Sequence, residues 1–341
     1  MRQTKQLLPK VEKYFRTNLH THTNLTDGGL SPEEMKQHYK AKGYSILAIT
    51  DHNIIMDFSE LNDEDFLMLT GAEYNINEEG WATNRLRCKT YHLNFLAKRP
   101  DNLWQPFRYK KEWNAGPYLE KAHIGSMSQE HSPEAINAMI AEANRRGFLV
   151  MYNHPHWSLH DYSDYSQYKG LWAMELCNTG SASYGDYHNG TIYRDLLNLG
   201  NRLFPVCADD SHNERAVAWG WIMVGAEKLE YGAVIEALEK GDFYASTGAE
   251  IHDLSVDGTQ LHFSCSDATS VTIESGLRFS ARLRPEAPDK FLREGVIDLK
   301  KWFEYSATED PHAKNRTWFR VIVHGPYGQY ASSRAFWYDE F

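Results

Sequence analysis

Between residues 14 and 241 the chain alternates short apolar runs with helix-forming stretches, and this alternation constrains its fold more than any other feature. The runs at 15–20, 45–50, 66–74, 91–97, 148–153, 171–176 and 203–208 read as strands by length and by their Leu, Ile, Val, Phe and Tyr content. Ser31-Pro32-Glu33-Glu34 predicts a helix start, with Ser31 as N-cap, Pro32 in the first turn and Glu34 closing a capping box. Ser132-Pro133-Glu134-Ala135 predicts a second helix, running to Arg146 and stopped by Gly147, and a third is expected from about Tyr187 to Leu199 before Gly200. Strands joined through helices form parallel sheets, because a parallel neighbour can be reached only by a crossover. Seven such units predict an α/β fold closed, or nearly closed, into a barrel.

Two regions depart from the rhythm. Residues 99–130 carry Trp104, Phe107, Tyr109, Trp113 and Tyr118 among basic residues without a clear period, as expected of a lid or of a packing insertion. After Ser246-Thr247-Gly248 the chain turns to short alternating strands with turns such as Asp257-Gly258. The expected division is therefore a barrel over 1–248, with 99–130 as a candidate lid insertion, and a small C-terminal β-sandwich over 249–341.

Composition narrows the function classes. The formal net charge of -10 argues against general nucleic-acid binding, which favours a basic face, but leaves room for a small phosphorylated substrate approached through bound cations. The four cysteines are widely spaced, which fits reduced thiols better than a disulfide framework. No apolar run approaches membrane-spanning length and residues 1–11 lack a signal-peptide core, so no membrane partner and a cytoplasmic location are expected. Oligomerisation is left open.

The chemistry lies at the strand ends. Asn18-Leu19-His20-Thr21-His22 delivers two imidazoles at i and i+2, with Asp27 five residues beyond His22 and Gly28 behind it. On an extended chain i and i+2 share a face. The run at 46–50 ends in Asp51 and His52, that at 67–72 in Glu73, that at 148–153 in His154, and that at 203–208 leads to Asp210 and His212; His92 lies within 91–95. In parallel barrels the C-terminal strand ends form one rim. Imidazole and carboxylate donors without thiolate suit Zn, Mn or Fe in a multinuclear hydrolytic site.

Four ordered motifs, His20-Thr21-His22, Thr50-Asp51-His52-Asn53, Asn153-His154-Pro155 and Asp210-Ser211-His212, resemble those of the PHP (polymerase and histidinol phosphatase) superfamily of metal-dependent phosphoesterases. The resemblance covers residues from about 15 to 248 and implies a distorted (β/α)7 PHP barrel holding two to three divalent ions. Carried over, His20, His22, Glu73 and Asp210 would hold the first metal. Glu73 would bridge to a second completed by His92 and His154. Asp27, His52 and His212 would hold the third.

The implied activity is that of a metal-dependent phosphoric ester hydrolase, a phosphatase or phosphodiesterase of a small phosphorylated metabolite, in which a hydroxide bridging the metals attacks phosphorus. A carbamate or ester metallohydrolase and a non-catalytic metal-binding module are the alternatives. Asp51 is expected to orient a neighbouring ligand, His156 to protonate the leaving oxygen or bind phosphate, and Arg215, Arg85, Arg87 and Lys89 are candidate phosphate clamps.

Overall fold

A computed structural model describes residues 4–108, 115, 118, 120–308 and 314–341. It begins with strand β1 (Lys5–Gln6), followed by β2 (Phe15–Asn18), helix α1 (Pro32–Ala41), β3 (Ile46–Ile49), β4 (Leu67–Asn77), the short α2 (Trp81–Asn84) and β5 (Thr90–Ala97). The chain continues through β6 (Trp104–Gln105), β7 (His123–Ile124), α3 (Pro133–Arg145), β8 (Phe148–Tyr152), α4 (Tyr162–Tyr165), β9 (Ala173–Asn178), α5 (Gly190–Asn198) and β10 (Phe204–Ala208). Then come β11 (Trp221–Val224), α6 (Tyr231–Lys240) and β12 (Phe243–Ser246). The C-terminal part holds β13 (Ile251–Asp257), β14 (Gln260–Ala268), β15 (Ser270–Ser275), β16 (Ala281–Leu283), β17 (Leu292–Asp298), α7 (Lys300–Ser306), β18 (Trp318–His324), β19 (Tyr330–Ser332) and β20 (Phe336–Trp337).

The result is a mixed α/β fold whose main sheet runs in the order β10-β9-β8-β5-β4-β3-β2-β11-β12-β19-β18-β15-β16, with β20 on β18. Parallel pairing joins β2, β3 and β4, and again β8, β9 and β10. The expectation of a purely parallel sheet fails at β5, which runs antiparallel to both β4 and β8, and at β11, antiparallel to β2 and β12. An apolar run has no direction of its own. The connection from β4 to β5 holds only the one-turn α2, too short for the crossover that a parallel neighbour requires.

Local start signals act as their chemistry predicts. Ser31 Oγ accepts from Glu34 N at 3.2 Å while Glu34 Oε2 accepts from Ser31 N at 2.8 Å. Ser132 caps α3 through Ala135 N at 3.3 Å, without a box because Ala135 has no acceptor to return. The third helix starts at Gly190, later than expected, because the Asn189 side chain donates to Asp186 and to the Glu175 carbonyl instead of capping.

One apolar core lies beneath the main sheet, formed by residues such as Leu93, Phe95, Met139, Ile140, Val150 and Leu196. A second core is shared by the sheet β1-β13-β14-β17 and the far end of the main sheet, with Leu254, Phe263, Ile273, Trp302 and Phe319 at its centre. Leu7 and Leu8 belong to this second core, and β1 pairs with β13, so the start of the chain packs with its end. Within 99–130, Trp104 and Phe107 are buried in the first core and Tyr118 packs on Phe58; Tyr109 and Trp113 lie outside the described residues. No described residue of this segment lines the cleft that holds the strand-end histidines.

Candidate metal centre

The parallel strands β2, β3 and β8 deliver His20 and His22, His52, and His154 from just past their C-terminal ends, and β10 does the same for Asp210 and His212. Glu73 is carried inside the long β4. His92 comes from the first half of β5, and its antiparallel sense explains why: the start of β5 lies beside the end of β4, with His92 opposite Asn75. Asp27 arrives on the turn after the first motif. That turn closes tightly, since a Cβ on Gly28 would stand 2.5 Å from the His22 carbonyl oxygen. Asp210 adopts φ of 50°, a left-handed conformation costly for a residue with a side chain and characteristic of functional sites.

Glu73 is the hub. Its Oε1 lies 3.0 Å from His92 Nδ1, 3.1 Å from His154 Nε2 and 3.3 Å from His20 Nε2. Its Oε2 lies 3.2 Å from His52 Nδ1 and 3.5 Å from His22 Nε2. Asp210 Oδ1 is 3.2 Å from His22 Nε2 and 3.3 Å from His20 Nε2. At the outer side, Asp27 Oδ1 is 3.5 Å from His22 Nδ1, and Asp27 Oδ2 is 3.3 Å from His52 Nε2 and 3.6 Å from His212 Nε2. All nine sequence-predicted metal residues thus meet, in four overlapping groups that could each hold an ion: His22, Asp27, His52 and His212; His20, His22 and Glu73; His20, His154 and Asp210; and His52, Glu73 and His92.

The donor set fits divalent cations. Buried His22 Nδ1, His52 Nδ1, His92 Nδ1 and Asp210 Oδ1 have no hydrogen-bond partner, although burial makes an unpaired polar atom costly. His20 Nδ1 sits 2.7 Å from Glu175 Oε1, which fixes one ring proton at Nδ1 and points Nε2 at His22 Nε2, 3.2 Å away. Burial depresses His20, but Asp210, Glu73 and Glu175 override this and lift it well above its usual value, so without a cation Nε2 carries the second proton. Two imidazole lone pairs at that spacing repel unless a proton or cation lies between them. A tetrahedral ion with bonds of about 2.0–2.1 Å needs ligand atoms about 3.3–3.4 Å apart.

The charges of the bare protein are arranged accordingly. Burial alone would raise the carboxyl of Glu73, but His92 and His20 more than offset it and hold it well below the usual range. Asp210 is held low in the same way, chiefly by His20. Burial depresses His154, yet the hydrogen bond to Glu73 overrides this and lifts it to about 9. Burial, then His212, pushes His22 down to about 3, so it is neutral and ready to bind without shedding a proton.

The other sequence-predicted residues fall elsewhere. Asp51 does not orient a histidine; its carboxylate accepts from Thr23 N at 2.8 Å and Thr23 Oγ1 at 2.6 Å, and from Thr26 Oγ1, so it pins the loop that carries Asp27. His156 and Arg215 are exposed, and neither lines the cleft. Lys89 is paired with Asp161 and Asp164. Among the described lysines and arginines only Arg85 reaches the cleft, an opening of about 400 Å³ also walled by Trp81, Trp157, Asn75 and Asn77.

Three positions were missed. Glu175 accepts from His20 Nδ1, from His154 N at 2.8 Å and from Asn178 Nδ2 at 2.8 Å. Asp186 holds Trp157 in place through its backbone N–H at 2.7 Å. Asn153 donates to Glu73 Oε1 at 2.8 Å. The signal for Glu175 was present: a carboxylate inside an apolar run needs buried donors. For Asp186, in a loop, no such signal exists.

The sequence model described as PHP domain matches residues 18–190, and the chain belongs to this family. The family is one of metal-dependent phosphoesterases, with histidine and acidic metal-binding groups like those assembled here. A 5'-3' exoribonuclease of Haemophilus influenzae is 30% identical over 142 residues, 39% of this chain and 50% of that protein. The chain therefore spans about half the length of the curated relative it matches.

Among solved structures, a two-domain protein of Bacteroides vulgatus containing a predicted PHP-like metal-dependent phosphoesterase aligns with a TM-score of 0.46 at 14% identity, covering 88% of this chain and 99% of that one. A lesion-specific endonuclease of Pyrococcus furiosus aligns with a TM-score of 0.38 at 9% identity, covering 67% and 56%. The likeness to an exoribonuclease overturns the expectation of a small phosphorylated substrate with no general nucleic-acid binding. That expectation leaned on net charge, which reports the whole surface and not one cleft. No described helix is long and apolar enough to cross a membrane.

Proposed function

We infer that this protein hydrolyses phosphodiester bonds at the end of a single-stranded nucleic acid. One observation carries the reading: a single cleft joins seven of the nine clustered histidine and carboxylate residues, all but His20 and His22, to Trp81, Trp157 and Arg85. The two indole rings lie with centroids 6.2 Å apart, and Trp157 packs at 5.0 Å on His154 and 5.1 Å on His92. Aromatic faces beside a metal cluster suit a terminal base, since stacking is indifferent to sequence. Arg85 supplies a guanidinium for a phosphate. The exoribonuclease relative is consistent with this substrate class.

In this reading His20, His22, Glu73 and Asp210 hold one ion, His92 and His154 share Glu73 around a second, and Asp27, His52 and His212 hold a third, on a barrel comprising residues 1–248. Residues 249–341 form an accessory β-sandwich. Bound divalent ions supply a water acidic enough to attack at neutral pH and positive charge to balance the phosphoryl oxygens. The chain does the positioning. Glu175 keeps the His20 proton on Nδ1, Asp186 sets the Trp157 backbone, and Asp51 fixes the loop behind Asp27. A single terminal nucleotide needs few phosphate contacts, so an acidic protein can bind it.

The test is product analysis on a 5'-phosphorylated oligoribonucleotide with Mn, beside mononucleotides and sugar phosphates. Stepwise release of mononucleotides is expected. Intact oligonucleotide together with efficient phosphate release from the small monoesters would refute the reading.

A further inference from the structure

A second cleft, of about 420 Å³, lies between α5 and the sheet strands β15, β16 and β18. Its walls carry Arg194, Arg282, Arg320, His188 and His324 against a single carboxylate, Glu274. That carboxylate is already engaged: Glu274 Oε2 accepts from Arg320 Nε at 2.6 Å, and Arg320 is 1% exposed. Arg194 and Arg282 are exposed and form no ion pair among the described residues; Arg282 donates only to Thr272 Oγ1, at 3.0 Å. Gly190 and Thr191, in the first turn of the nine-residue α5, line the same cleft, adding the positive end of a helix. Burial and the facing guanidiniums both depress His188 and His324, in keeping with a positive field. In a chain of net charge -10 this is a concentrated reversal of sign.

The cleft is tied to the metal centre by one short segment. Gly180 and Ser181 line the first cleft, and His188, Gly190 and Thr191 line the second. Six residues lie between Ser181 and His188, and the seven steps from one to the other bound the Cα separation at about 25 Å. Between them Tyr184 and Tyr187 stand 66% and 43% exposed. Exposed rings leading toward a basic groove offer stacking faces and phosphate partners of the kind by which proteins hold single strands. We propose that this arginine-lined cleft binds backbone phosphates of the same single strand whose end occupies the metal centre, with Tyr184 and Tyr187 along the path between. The proposal rests on the nucleic-acid reading above and adds the part of the protein that holds the strand beyond the reacting end.

The test uses metal-loaded protein, the double variant Arg194→Ala, Arg282→Ala, and a fluorescein-labelled phosphorothioate 12-mer that resists cleavage. An unchanged melting temperature certifies the variant's fold. Each lost phosphate contact on a single strand changes the slope of log affinity against log salt by about 0.7, so two contacts predict a slope smaller by about 1.4 and binding about 25-fold weaker at 0.1 M salt. A mononucleotide, which carries no strand beyond the reacting end, should bind both proteins alike. Unchanged 12-mer affinity overturns the proposal, as does equal weakening at both lengths. Inorganic phosphate that raises the melting temperature of the wild type alone, with 12-mer binding unaffected, also overturns it by assigning the cleft to a free anion. If unmodified oligonucleotides are not cleaved while 12-mer binding still depends on the arginines, the activity reading falls and the strand site stands.

Discussion

Replacing Glu175 by Gln probes the metal centre without touching a proposed ligand. The side chain is fully buried and takes three donors, His20 Nδ1 on Oε1 and both His154 N and Asn178 Nδ2 on Oε2. Glutamine keeps the volume but offers one oxygen. If that oxygen stays with His154 and Asn178, the new amide NH2 faces His20 Nδ1. It can then be satisfied only by moving the imidazole proton to Nε2, the atom aimed at the cluster. If the amide turns over, two buried N–H donors lose their acceptor, at about 1–3 kcal/mol each. The first arrangement is cheaper and disables His20 as a ligand. Second-sphere changes of this kind cost about 10–100-fold in metal affinity, or roughly 1.4–2.8 kcal/mol, and the tautomer switch places this one at the upper end. Chelator competition with Zn or Mn on wild type and variant measures it. Affinities agreeing within about threefold would refute the role given to Glu175.

Other perturbations reach different parts of the account. In metal-free protein His154 titrates near 9 against about 6.5 when unfolded, so its stabilising contribution is complete below pH 6.5 and lost as pH rises through 9. Thermal melts of chelated protein should therefore fall across that window while those of metal-loaded protein do not; parallel curves would contradict the assignment. Asp51→Ala leaves the Thr23 N–H and two threonine hydroxyls without their acceptor and should cost about 2–3 kcal/mol in denaturant unfolding, with weakened metal binding around Asp27. Trp157→Ala should raise KM for an oligonucleotide about 10-fold through lost stacking, with kcat much less affected, which steady-state kinetics will resolve.

The sequence revealed the site more fully than the fold around it. The nine clustered histidine and carboxylate residues were legible because residue type and a place at or near the end of an apolar run mark them in the sequence. Ser31 and Glu34 announced their helix because capping is a contact within four residues. Strand direction was not legible. β5 looks like its neighbours by composition, and only its antiparallel placement explains how His92 reaches Glu73 from the start of its strand. The pairing of Lys5–Gln6 with β13 was invisible for the same reason, since partner choice lies about 250 residues away. Asp51 was misassigned because its neighbour His52 joins the cluster. On an extended chain adjacent side chains face opposite ways, and the one facing away holds the Thr23 loop.

The central claim is that His20, His22, Asp27, His52, Glu73, His92, His154, Asp210 and His212 act together as a multinuclear metal site. Anaerobic loading with Mn or Fe, removal of loose ions by gel filtration and metal analysis per chain test it directly. The account predicts at least two tightly held divalent ions per chain. One ion or none would contradict it.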